Sequence, residues 1–210
     1  MQPSERVELA LDLALAEAAG PGSPPLFAQA LRYAVFPGGH RIRPQIVLAV
    51  ARACSDPDPV GTDAAATAIE LLHCASLVHD DLPAFDNADL RRGKPTVHVT
   101  FGEPLAVLAG DALIVLAFET LGVAFARAPS RLPAMISIVA RAVGGPSGIV
   151  AGQAWECETA VPLSDYQRAK TGALFVGSTL AGAAAAASAL AGSRSPHARA
   201  TASTICGRMR

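Results

Sequence analysis

Four carboxylates crowd one short stretch of this chain: Asp80, Asp81, Asp86 and Asp89 follow an apolar run containing Ile69, Leu71, Leu72, Leu77 and Val78. The run has helical spacing, and Pro83 cannot continue a helix interior, so the helix ends at Asp80–Asp81 and Asp86 lies on the loop beyond. Carboxylates at a helix C-terminus face the negative end of the macrodipole and one another, an arrangement that local rules disfavour. A hard divalent cation resolves the conflict, because Mg²⁺ takes oxygen ligands from one or two carboxylates together with phosphate and water. A solvated acidic turn, neutralised by nearby arginines, resolves it equally well. The segment alone does not choose between them.

Basic groups stand close by. Arg91, Arg92 and Lys94 follow directly; Gly38-Gly-His-Arg-Ile-Arg-Pro44 offers Arg41 and Arg43 ahead of a helix; Lys170-Thr171 lies just inside a later one. Guanidinium forks grip phosphate oxygens bidentately and ammonium groups act as point charges. Each basic cluster taken singly reads best as a helix-terminal salt bridge. Taken with the carboxylates they point to a metal–diphosphate site. The sequence contains no phosphate-binding glycine loop of the nucleotide-binding kinds.

The elements that must position these groups are helical. Apolar spacing predicts helices over 4–19, 25–35, 43–54, 62–81, 104–127, 132–143, 148–158 and 164–190, and a last one from about residue 196, separated by segments rich in Gly and Pro. TVHVTF at 96–101 is the only strand-like run, and its helical surroundings argue against a strand. The 210 residues, 51% apolar and 17% charged, read as a single all-α domain over 1–210 with an ample core. A net charge of -1 argues against a general nucleic-acid binder. Cys54, Cys74, Cys157 and Cys206 are scattered, without metal-ligand spacing, and suit reduced thiols in a cytoplasmic protein. The acidic amphipathic N-terminus is a poor signal peptide. Neither the run over 104–118, interrupted by Asp111, nor the Ala-rich run over 176–192 offers the length of strongly apolar sequence that a membrane span needs.

With these motifs in place, the chain resembles the trans-prenyl diphosphate synthase (polyprenyl synthetase) family, most of all the bacterial geranylgeranyl diphosphate synthases of carotenoid pathways. Asp80-Asp-Leu-Pro-Ala-Phe-Asp86 is similar to the family's first aspartate-rich motif, with Arg91-Arg-Gly-Lys-Pro-Thr96 as the segment that follows it. Gly38–Pro44 is similar to the GGKRxRP element, and Gly152-Gln153 and Lys170-Thr171 to the later GQ and KT elements. The resemblance implies an isoprenoid-synthase bundle of about nine to ten helices around a central cavity. It also implies the roles. Asp80, Asp81 and Asp86 would hold Mg²⁺ on an allylic diphosphate that Arg91 also contacts. His40, Arg43, His73 and Arg92 would bind isopentenyl diphosphate, while Gln153, Lys170 and Thr171 would line the allylic side. Ala75 and Ser76, five and four residues before Asp80, would face the growing chain. A small residue at 75 then implies a C20 product, geranylgeranyl diphosphate, made by head-to-tail condensation, and the resemblance implies a homodimer.

Two departures qualify that picture. His40 stands where the family usually has Lys, so a fixed charge is replaced by an imidazole. The family's second aspartate-rich motif is also missing, since no Asp or Glu follows Asp165. The C-terminus is therefore expected to be short. Alternative readings are a non-catalytic partner or regulatory subunit of a prenyl synthase and, less well matched, a terpene cyclase. A cyclase has no use for the two basic elements that suit a second diphosphate.

Overall fold

The structure, a computed structural model, describes residues 2–56 and 58–192. In chain order the helices are α1 (Pro3–Ala18), α2 (Pro25–Val35), α3 (Ile42–Ala53), α4 (Pro59–Asp80), α5 (Val97–Phe101), α6 (Glu103–Ala124), α7 (Leu132–Val143), α8 (Ile149–Ala154), α9 (Leu163–Gln167) and α10 (Ala173–Gly192). The helix expected from residue 196 lies outside the described residues.

Helix α4 is the axis of the bundle. Proline at its first turn and the Asp58 carboxylate, which accepts from the Gly61 amide at 3.1 Å, start it. Its small and aliphatic residues face protein on nearly every side, with α1, α2, α3, α6, α7, α8 and α10 packed around it. Ala64, Ala65, Ala68, Ile69, Leu71, Leu72 and Ala75 are buried there, and Leu113, Leu121 and Leu174 meet them from α6 and α10. Alanine at so many contacts lets helix axes approach closely. Gly110 serves the same end, since a Cβ there would collide with the His79 ring.

Three elements differ from the sequence expectation. Residues 97–101 form helix α5. Ahead of it, Leu90–Arg91 and Lys94–Pro95 pair as a two-residue antiparallel hairpin that the sequence did not signal. Arg92 (φ 55°) and Gly93 (φ 76°) make its tip, and a two-residue turn with both φ values positive suits the twist of such a ribbon. The expected helix over 164–190 is continuous but carries a π turn, Arg168–Gly172, between α9 and α10, so Lys170 stands on a local bulge. The third correction concerns α6. By length and composition the segment Glu103–Arg127, with a mean hydropathy of 1.9, suffices to cross a membrane, and Asp111 alone does not disqualify it. One stripe of this helix (Ala106, Ala109, Gly110, Leu113, Ala117, Leu121) is buried in the bundle.

Candidate functional site

The functional groups gather where α4 ends. The chain after Asp80 curls back on the last turn: the amide of Asp86 donates to the Asp80 carbonyl at 3.0 Å, and that of Ala88 to the Asp81 carbonyl at 3.1 Å. These bonds satisfy carbonyls that the helix leaves without partners, and they fold Asp86 back beside Asp80. The same geometry separates the two adjacent aspartates. Asp80 turns toward α8 and the π turn. Asp81 turns toward the hairpin, where Arg91 grips it through Nε and Nη2 at 2.6–2.9 Å.

Around Asp80 the structure assembles an acidic cluster. Ligand oxygens of Asp80, Asp86 and Glu156 lie within 4.8 Å of one another. The ammonium of Lys170 sits among them, 3.3 Å from Asp80 Oδ1 and 2.5 Å from Glu156 Oε1. Gln153 Nε2 donates to Asp80 Oδ1 at 3.3 Å and to the Ser76 carbonyl at 3.2 Å. Tyr166 closes the group by donating its hydroxyl to Glu156 at 2.6 Å. Desolvation and then the Asp80 charge raise the Asp86 carboxyl. Burial works against the Lys170 charge, but Glu156 and Asp80 outweigh it and raise its pKa. The three carboxylates offer oxygen ligands close enough together to hold a metal ion, with a tethered ammonium already among them.

Glu156 was missed by the sequence reading. Its signal is faint: one carboxylate three residues after Gln153, on the 3₁₀ turn Trp155–Cys157. Gly152 makes the placement workable, because a Cβ there would collide with the Lys170 backbone.

About two turns earlier on α4, roughly 10 Å along the axis, lies a second, basic cluster. His73 Nε2 is 3.1 Å from Arg43 Nη1, and the Arg43 guanidinium lies 4.6 Å from the centre of the Phe175 ring. Arg43 Nε is buried without a hydrogen-bond partner. Burial, then the neighbouring charge of Arg92, lowers the Arg43 pKa. Desolvation and the surrounding arginines push His73 down to about 3, so its ring is neutral and Nε2 accepts from Arg43. A cavity of about 180 Å³ opens here, lined by His73, Arg91 and Arg92 together with Glu70, Asp81 and Lys94.

Some basic residues named from sequence are committed elsewhere. Arg41 is buried and paired with Glu8 and Glu70, so it is no open anion ligand. Lys94 donates to the carbonyls of Tyr33 (3.0 Å) and Phe36 (2.7 Å), tying the hairpin to the end of α2. His40 is exposed on a separate groove between α1 and α3 with Gln45 and Arg52, away from His73. Thr171 is exposed beside Lys170. Ala75 is buried and Ser76 half-buried, its hydroxyl donating to the His73 carbonyl at 2.8 Å. Asp111 lies 3.7 Å from His79, a contact between helices.

Known proteins resemble this chain in sequence and fold. The family described as polyprenyl synthetase matches residues 24–205. A geranylgeranyl diphosphate synthase of Rhodobacter capsulatus is 57% identical over 186 residues, covering 89% of this chain and 64% of that protein. A farnesyl diphosphate synthase of Geobacillus stearothermophilus is 40% identical, over 87% of this chain and 62% of its own length. Among solved structures, a geranyltransferase from Legionella pneumophila superposes with a TM-score of 0.79 at 38% identity, covering 87% of this chain and 66% of that one. The chain thus spans a little under two thirds of the length of the first two relatives. On the family match over most of its residues, and on relatives that share its fold, this chain belongs to the polyprenyl synthetase family.

Proposed function

We propose that the protein is a Mg²⁺-dependent prenyltransferase that condenses isopentenyl diphosphate with an allylic diphosphate to give geranylgeranyl diphosphate. One observation carries the reading: α4 presents an acidic cation site and, two turns away, a cluster of unneutralised arginine beside neutral histidine. A reaction joining two diphosphates needs such a pair, one site for each head group.

Asp80 and Asp86, with Glu156, would hold the cation; Asp81 would support them through Arg91. The cation would supply charge to balance the leaving diphosphate. Lys170 and Arg91 lie at the same end and bind the allylic diphosphate, stabilising the negative charge that grows as its C–O bond breaks. Arg43 and Arg92 hold the isopentenyl diphosphate, with its double bond directed toward the allylic carbon. A carbon–carbon bond forms at that carbon, diphosphate departs, and the proton lost from the isopentenyl unit leaves with it. The buried aliphatic wall around Ala75 excludes water from the cationic centre.

A homodimer is part of the proposal. Leu108, Val115 and Val123 on the outer side of α6 are exposed apolar groups on one helix, a surface that a second copy would cover. The deciding experiment is incorporation of labelled isopentenyl diphosphate by the protein with geranyl or farnesyl diphosphate as starter. C20 diphosphate formed with Mg²⁺ and abolished by chelator is the expected result. No incorporation with any allylic starter overturns the reading.

A further inference from the structure

Arg41 and Arg43 are two residues apart, yet the turn between them sends their side chains in opposite directions. Arg43 enters the basic cluster. Arg41, in the left-handed region at φ 48°, goes into the protein and is only 4% exposed. There its guanidinium is saturated. Nε and Nη2 donate to Glu8 at 2.8 and 3.3 Å, Nη1 to Glu70 at 2.8 Å, and Nη2 to the Val35 carbonyl at 2.8 Å. Nη1 also reaches Cys74 Sγ at 3.8 Å, and the Phe36 ring lies 5.7 Å away. Gly38 makes room for it, since any Cβ would strike the guanidinium.

Glu70 is the reason this matters for binding. It is 4% exposed and lines the same cavity as His73, Arg91 and Arg92. A carboxylate in the wall of an anion pocket repels the ligand and competes for its arginines. Burial raises the Glu70 pKa, and its hydrogen bond to the Arg41 guanidinium does most to oppose that rise; the charges of Arg43 and Arg92 oppose it less. Arg41 holds Glu70, and the Arg43 Nε is buried without a hydrogen-bond partner.

We propose that Arg41 is a positioning residue for the isopentenyl diphosphate pocket: it neutralises Glu70 and fixes the turn before α3, leaving Arg43 and Arg92 free for the diphosphate. This inference rests on the prenyl-transfer reading. Without the Arg41 charge, Glu70 would draw Arg43 or Arg92 to itself, and the pocket would lose its open cation. The effect belongs to the isopentenyl side, because Asp80, Asp86 and Lys170 contact none of these groups.

The test is equilibrium binding of isopentenyl diphosphate by calorimetry to the full chain and to R41M, R41K and R41M/E70Q, with thermal unfolding as a control. R41M should bind roughly tenfold more weakly, about 1.4 kcal/mol, while the KM for the allylic substrate stays within about twofold. R41K, which keeps a charge but not the fork, should fall between. R41M/E70Q should return to within about threefold of the parent even if it unfolds at a lower temperature. If R41M folds poorly, R41K and the double variant decide. Unchanged affinity in R41M or R41K, or a double variant that binds no better than folded R41M, overturns the assignment while leaving prenyl transfer standing. A parent chain that binds no isopentenyl diphosphate overturns the prenyl-transfer reading, and this inference with it.

Discussion

The ammonium of Lys170 lies 3.3 Å from the carboxylate of Asp80, ninety residues earlier in the chain, and bridges it to Glu156. A tethered cation thus stands among three carboxylates that would otherwise repel one another. Its removal should expose that repulsion. K170M is expected to lose about 1 kcal/mol of stability in chelator, because its ion pairs are partly exposed and worth little individually. Added Mg²⁺ should raise the melting temperature of K170M more than that of the parent. Thermal unfolding with and without Mg²⁺ checks this, and an equal metal response in both proteins would contradict it.

Glu156 tests the cation site from the other side. E156Q keeps the hydrogen-bonding shape toward Tyr166 and Lys170 but removes one charge and one strong oxygen donor. The Mg²⁺ concentration for half-maximal thermal stabilisation should rise roughly tenfold, the scale seen when a metal site loses a supporting group. The same titration on E158Q, whose residue lies outside the cluster, should match the parent.

How much of this was legible in the sequence depends on what each signal measures. Helices α2 and α7 have their expected bounds because Pro25 and Pro133 mark their first turns and apolar residues recur at helical spacing. The hairpin was invisible, since two-residue strands are too short to show any alternation. Residue type located the acidic and basic groups but not their directions. Arg41 and Arg43 look alike in the sequence, and only the left-handed turn at Arg41 sends one to Glu70 and the other to His73. Asp80 and Asp81 likewise diverge because a helix rotates adjacent residues by about 100°. Glu156 went unnoticed because its partners, Asp80 and Lys170, are distant in sequence and meet only through the packing of α8 against the π turn.

His73 should leave a signature in the pH dependence of stability. Burial and the charges of Arg43, Arg92, Arg91 and Arg41 push it down to about 3 from the ordinary 6.5. Between those values the unfolded chain holds a proton that the folded chain does not, so stability rises with pH. The contribution is complete above about 6.5 and is lost as pH falls toward 3. At pH 5 the loss is about 2 kcal/mol at most, taking about 1.4 kcal/mol per unit. Urea unfolding at pH 7 and pH 5 should show H73Q losing about 1–2 kcal/mol less than the parent over that interval. Equal losses would mean that His73 titrates normally in the fold.

Ala75 tests the C20 product. It lies five residues before Asp80 on α4, is 1% exposed, and packs among the aliphatic side chains of the core. If the proposed C20 product is right and the growing chain runs past this position, a phenylalanine there would shorten its path, so A75F is expected to release mainly C15 diphosphate instead of C20. The same bulk should cost about 1–3 kcal/mol by overpacking, so products are best compared at a temperature where circular dichroism shows both proteins folded. Chromatography of the dephosphorylated products reads the outcome. A folded, active A75F that still makes C20 would place the pocket floor elsewhere. In that event Ser76 is the next position to fill, because it is only half-buried and its carbonyl already meets Gln153 beside Asp80.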